Sequence, residues 1–73
     1  MAMWIKNLVF DEDGNYLGND GREEVTAEDM ALAERMKLEA DENEYLFDLT
    51  IYDDGTFYAK YWNEDILDYT FHE

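Results

Sequence analysis

The side chains available for chemistry are almost all carboxylates. The 73 residues include 20 Asp and Glu against 5 Lys and Arg, with one histidine, no cysteine and no serine. Nucleophilic catalysis through Ser or Cys is therefore closed to this chain, as is a thiolate zinc site. The single imidazole, His72, stands next to the last residue. Chain ends are the least firmly held part of a domain, so this is a poor mount for a general base. Paired carboxylates act on a glycosidic bond only across a cleft, and a chain this short rarely builds one. No glycine-rich loop with a Lys or Arg behind it leads into a helix, which removes the phosphate cradle. The sequence therefore predicts neither an enzyme nor a cofactor.

One stretch has metal-ligand spacing. Asp11-Glu12-Asp13-Gly14-Asn15 resembles the opening of an EF-hand calcium loop, with Asp11, Asp13 and Asn15 at loop positions 1, 3 and 5. The pattern then departs. Tyr16 stands where the loop needs glycine, and Arg22 where it needs the bidentate glutamate. The flanks read as strands, so the expectation is an acidic turn and no metal centre.

What remains is the acidity itself. The net charge is −15. Residues 1–37 carry nine acids and four bases; residues 38–73 carry eleven acids and a single base, Lys60. Such a field repels nucleic acid and anionic membranes and attracts basic surfaces. Double-stranded DNA carries one charge per roughly 1.7 Å of axis. A protein that presents carboxylates densely can occupy the groove meant for it. Screening acts over roughly 8 Å, so clustering matters more than the total. The sequence offers three groups: Asp11, Glu12, Asp13, Asp20, Glu23 and Glu24; Glu39, Asp41, Glu42, Glu44, Asp53 and Asp54; and Glu64, Asp65 and Asp68. Within them, Asp11, Glu12, Asp13, Glu42, Glu44, Asp53, Asp54, Glu64 and Asp65 are the expected partner-steering residues. Tyr52, Tyr58 and Trp62 are the expected anchors, because Tyr and Trp dominate interface energies.

In size, acidity and α+β pattern the chain resembles the nucleic-acid-mimicking inhibitors carried by phages, among them anti-CRISPR, anti-restriction and uracil-glycosylase-inhibitor proteins. The resemblance is compositional and carries over no residue. It implies an inhibitor of a basic nucleic-acid-binding protein or nuclease, acting in the bacterial cytoplasm. Immunity proteins against basic nuclease toxins share the same physics. A reading from another class is a structural or accessory module, dimeric through its apolar surface, whose acidity serves solubility.

The elements that must position these residues centre on Tyr45–Trp62, which holds seven of the twelve aromatics. Phe47, Leu49 and Ile51 alternate with Asp48, Thr50 and Tyr52, the period of a half-buried strand. Asp53-Asp54-Gly55 fits a three-residue hairpin loop closed by a left-handed glycine. That register sets Ile51 opposite Phe57, Leu49 opposite Ala59, Phe47 opposite Tyr61, and Asp48 opposite Lys60 as a cross-strand ion pair. Residues 3–10 read as a first strand, with Trp4, Leu8 and Phe10 on one face and Tyr16-Leu17 pairing back on it. Thr26 is an N-cap, with Asp29 completing a capping box. Val25, Leu32, Ala33, Met36 and Ala40 follow at helical spacing, with Arg35–Glu39 and Lys37–Asp41 as exposed i,i+4 pairs. Leu67, Tyr69 and Phe71 alternate with Asp68, Thr70 and His72, which suits a last strand, a short helix capped by Asn63 being the alternative. The expected fold is one α+β domain over residues 1–73: an antiparallel sheet of four to five strands with a helix at about 26–41 on one face. There is no cysteine, no membrane-spanning apolar run, and no signal-peptide pattern in MAMWIKNLVF, so a cytoplasmic location is expected.

Overall fold

The structure, a computed structural model, describes residues 1–72. Its elements are β1 (Trp4–Phe10), β2 (Tyr16–Asn19), α1 (Ala27–Leu38), β3 (Glu44–Tyr52), β4 (Phe57–Asn63) and β5 (Asp68–His72). The strands form one antiparallel sheet in the order β2-β1-β3-β4-β5. The α+β class, the five strands and the single helix match the expectation, and residues 68–72 take the strand form rather than the helical one. Asn63 still caps the turn before β5: its side-chain oxygen accepts from the backbone amides of Asp65 and Ile66.

Helix α1 starts where its sequence says it should. The Thr26 hydroxyl accepts from the Asp29 amide, and the Asp29 carboxylate accepts from the Thr26 amide. The same carboxylate oxygen takes the buried Lys6 ammonium at 2.5 Å, which ties the helix start to β1. The helix ends at Leu38, earlier than expected, because the chain must turn over 39–43 to enter β3. In that turn the Glu44 amide donates to the Asp41 carbonyl. Neither i,i+4 ion pair forms within 4 Å among the described residues. Lys37 turns back instead. It pairs with Glu34, donates to the Gly14 carbonyl, and lies 4.6 Å from the centre of the Phe10 ring. Cation–π contact and a carbonyl on the packed side outweigh a solvent-screened pair with Asp41.

The core lies between α1 and one sheet face: Leu8, Phe10, Ala33, Met36, Leu46, Leu49, Ile51, Ala59 and Tyr61. The Tyr61 hydroxyl donates to the Met36 carbonyl, so the largest core side chain is satisfied at its polar end. The hairpin keeps the expected three-residue loop, with Ile51 opposite Phe57 and Leu49 opposite Ala59. It departs at Phe47. Leu46, not Phe47, faces Tyr61, and Phe47 is the extra residue of a β-bulge. Tyr45-Leu46-Phe47 has no polar residue to mark a face, so alternation could not fix the register there. The bulge turns Leu46 into the core and Phe47 to the opposite face.

A second irregularity sits at Ile5 in β1, between the pairs Trp4–Tyr52 and Lys6–Ile51. The Ile5 carbonyl accepts from the amides of Arg22 and Glu23, at 2.7 and 3.2 Å. Gly21 permits this approach, since a Cβ there would stand 2.1 Å from the Ile5 oxygen. As a result Trp4 lies on the face away from the helix, not beside Leu8 and Phe10.

Candidate functional site

Antiparallel order decides which acids meet. The β1–β2 turn, the α1–β3 connection and the β4–β5 turn all fall at one end of the sheet. They bring together Asp11, Glu12, Asp13, Glu39, Asp41, Glu42, Glu44, Glu64, Asp65 and Asp68, with Arg35 and Lys37 in the last helical turn as the nearby bases. Two acidic hollows lie here. One is lined by Asp41, Glu42, Asn43, Glu64 and Asp65. Its two walls are bound to each other, because Asn43 donates from its side chain to Asn63 and Asp65, and the Glu64 amide donates to the Asn43 carbonyl. The other includes Asp11, Glu12, Asp13, Lys37 and Tyr45. Burial, and then the charges of Glu12, Tyr69, Glu64 and Asp11, push the Tyr45 hydroxyl above its ordinary pKa.

Individual members play different parts. Asp11 closes its own turn. It accepts from the Asn15 amide, the Asp13 amide and the Asn15 side chain, and the Asn15 bonds first of all hold its carboxyl below the ordinary range. Among the described residues no three His, Cys, Asp or Glu side chains gather as a metal site. Glu44 is closed to solvent, with its side chain only 2% exposed. It accepts from the Thr70 hydroxyl and the Asp41 amide and faces His72 at 3.5 Å. Glu44 therefore fastens β5 to β3 and is no surface contact.

Asp53 and Asp54 belong to the opposite end, because the β3–β4 loop points the other way from the start of β3. Their expected grouping with Glu39–Glu44 is not formed. Nearness in sequence misled there, since a nine-residue strand spans roughly 30 Å. Asp54 bonds to Thr56, which lowers its pKa, and Asp53 accepts from the Met3 amide.

Between the two acidic ends lies the sheet face that α1 leaves uncovered. It carries Tyr52, Tyr58 and Trp62, as expected, together with Trp4, Phe47, Tyr69 and Phe71. The rings meet edge to face or tilted: Tyr52–Tyr58 at 6.0 Å, Tyr58–Phe71 at 6.5 Å, Trp62–Tyr69 at 5.0 Å and Phe47–Tyr69 at 5.2 Å between centroids. Asp48 and Lys60 stand opposite each other here, but among the described residues they make no ion pair within 4 Å. The Lys60 ammonium sits over the Tyr69 ring at 4.1 Å and near Phe47 at 5.7 Å. The aromatic faces have drawn it away from Asp48.

Compared with protein-family models, curated proteins and solved structures, the chain matches none. The surface must therefore be read from its own geometry. Sequence reasoning missed Phe47, Tyr69, Phe71 and Trp4 as members of the open face. The alternation of Tyr69 and Phe71 was a signal for those two, once their strand is placed beside β4. Phe47 and Trp4 reach the face only through bulges, which leave no periodic mark. Ile66 and Leu67 were also missed. They are exposed among Glu64, Asp65 and Asp68 at the tip of the β4–β5 turn. No helix of the described residues is long and apolar enough to cross a membrane. The arrangement offers carboxylates for charge attraction and rings for apolar and cation contact.

Proposed function

We propose that this protein is a small acidic inhibitor. It binds a basic nucleic-acid-binding protein, such as a CRISPR effector, a restriction enzyme or another nuclease, by offering carboxylates in place of phosphates. The observation that carries this reading is the convergence of three separate turns at one sheet end. That convergence gathers ten of the 20 acids, all but the enclosed Glu44 facing outward, and the nearby bases among the described residues are Arg35 and Lys37. Solubility alone asks for charges spread over the surface, not gathered into one field. Dense carboxylates steer a basic partner in and set its register, while exposed rings supply the apolar contact. An immunity protein against a nuclease toxin would use the same surface.

The test is competition. The protein is immobilised and offered a bacterial lysate at low salt, and bound proteins are eluted with duplex DNA. Release of nucleic-acid-binding proteins by DNA and by salt is the expected result. Retention that neither DNA nor salt disturbs overturns the mimicry. In the pair so identified, Glu42, Glu64 and Asp65 changed to Lys slows association by about tenfold or more.

The accessory-module reading has one observation in its favour, the uncovered aromatic face. It predicts a dimer by light scattering, with Tyr58 and Trp62 buried between copies.

A further inference from the structure

The open face holds a hollow of about 410 Å³ lined by Asp48, Thr50, Tyr52, Tyr58, Lys60 and Phe71. Its chemistry is unusual for an uncovered sheet. Tyr58 and Phe71 are 45% and 61% exposed. Asp48 stands among them with no cation within 4 Å among the described residues. Burial raises its pKa, and the pull of Lys60 and Asn7 only partly offsets this. A half-buried carboxylate without a cation gains from one. The chain already displays the fitting contact: Lys60 lies on the ring of Tyr69 next door, while Tyr58 and Phe71 hold no cation among the described residues.

We infer that this hollow receives an arginine side chain from a basic segment of the partner, the guanidinium meeting Asp48 and stacking on Tyr58 or Phe71. The planar guanidinium suits both contacts at once, since it forks onto a carboxylate and lies flat on a ring; an ammonium does neither as well. Charge complementarity favours this occupant over a second copy of the chain. The face is bounded at one end by the gathered acids and at the other by Asp20, Asp53 and Asp54. Two copies, each of net charge −15, would bring those ends together, whereas a basic strand or helix laid along the face neutralises both. The inference rests on the reading that the partner is basic and names where one of its side chains goes.

Deca-arginine and deca-lysine peptides, of equal charge, separate the two claims when titrated into the isotope-labelled protein at low salt. Both are expected to shift amide resonances of the acidic turns. Deca-arginine alone is expected to shift those around Asp48, Thr50, Tyr58 and Phe71, and to bind about tenfold tighter. Asp48→Asn, which keeps the side-chain shape, and Tyr58→Leu should each bring deca-arginine down towards deca-lysine and leave deca-lysine unchanged. The shift map on the unaltered protein stands even if a variant folds poorly. Equal affinities with shifts confined to the acidic turns overturn the arginine site while the basic-partner reading survives. Failure of both peptides to bind overturns both. A dimer in light scattering that Tyr58→Leu dissociates also overturns the inference, since the face then belongs to a second copy.

Discussion

At the scale of single residues, environment assigns chemically identical side chains to different work. Glu42 and Glu44 are two positions apart, yet one is exposed and the other sealed beneath β5. Burial disfavours the Glu44 carboxylate, but bonds from the Thr70 hydroxyl and the Asp41 amide, with His72 alongside, outweigh it and hold its pKa below the ordinary range. A lowered folded pKa gives a contribution that is complete above the unfolded value, near pH 4.3, and is lost as pH falls through the folded one. Glu44→Gln should therefore destabilise the protein at pH 7 by about 1–3 kcal/mol, the usual cost of an impaired buried hydrogen bond. The difference from wild type should shrink as pH falls below about 4. Urea melts of both proteins at pH 7 and pH 3 measure this; a gap that stays constant with pH would show that the charge of Glu44 contributes nothing. Lys60 carries the converse lesson. Directly opposite an acid, it still turns to two aromatic rings, whose faces attract an ammonium.

At the scale of elements, the two bulges decide which residues form the core and which the open face. Leu46 is 3% exposed and fully in the core, whereas its neighbour Phe47 packs on Tyr69 across the other face. Leu46→Ala should cost about 2–4 kcal/mol, and Phe47→Ala less than about 1.5 kcal/mol. The order reverses if the strand runs without a bulge, so chemical denaturation of this pair reads the register directly. The β4–β5 turn gives a second check. Leu67 takes a φ of 53° and is well exposed, a left-handed conformation that strains a branched side chain. Leu67→Gly should stabilise the protein by roughly 0.5–1 kcal/mol, measured as a rise in the thermal midpoint. Where a residue pattern was periodic or a cap was specific, the sequence was legible. The Thr26–Asp29 box, the Asp53–Gly55 loop and the pairing of Leu49 with Ala59 all stand as expected. Periodicity failed where it had nothing to count, at Leu46-Phe47 and at Trp4-Ile5. It also could not tell which turns share a sheet end, because strand order is a property of the whole fold. Asp53 and Asp54 were grouped with the wrong acids for another reason: they are near Glu44 in sequence, but a strand of roughly 30 Å lies between.

At the scale of the whole molecule, the same charges act on folding and on binding with opposite signs under salt. A net charge of −15 on 73 residues opposes the compact state by self-repulsion. The gathering of ten acids at one sheet end concentrates that repulsion in three turns that the fold must hold together. Hydrogen bonds between Asn43, Asn63 and Asp65 join two of those turns despite it. Raising sodium chloride from about 20 mM to 0.5 M shortens the screening length from roughly 20 Å to 4 Å. Folding should therefore be favoured, by about 1 kcal/mol, which for a domain this small corresponds to a rise of about 4–8 °C in the thermal midpoint. Chloride is the right anion, because sulfate would strengthen apolar burial as well and blur the cause. The same salt should weaken association with a basic partner, since the attraction is screened together with the repulsion. Thermal melts followed by circular dichroism at pH 7, run beside binding measurements in the same buffers, test the pair of signs. A midpoint that falls or stays level with added salt would mean that the acids already pair well enough within the fold to cancel their repulsion. The carboxylate field proposed to reach a partner would then be much weaker than its formal charge.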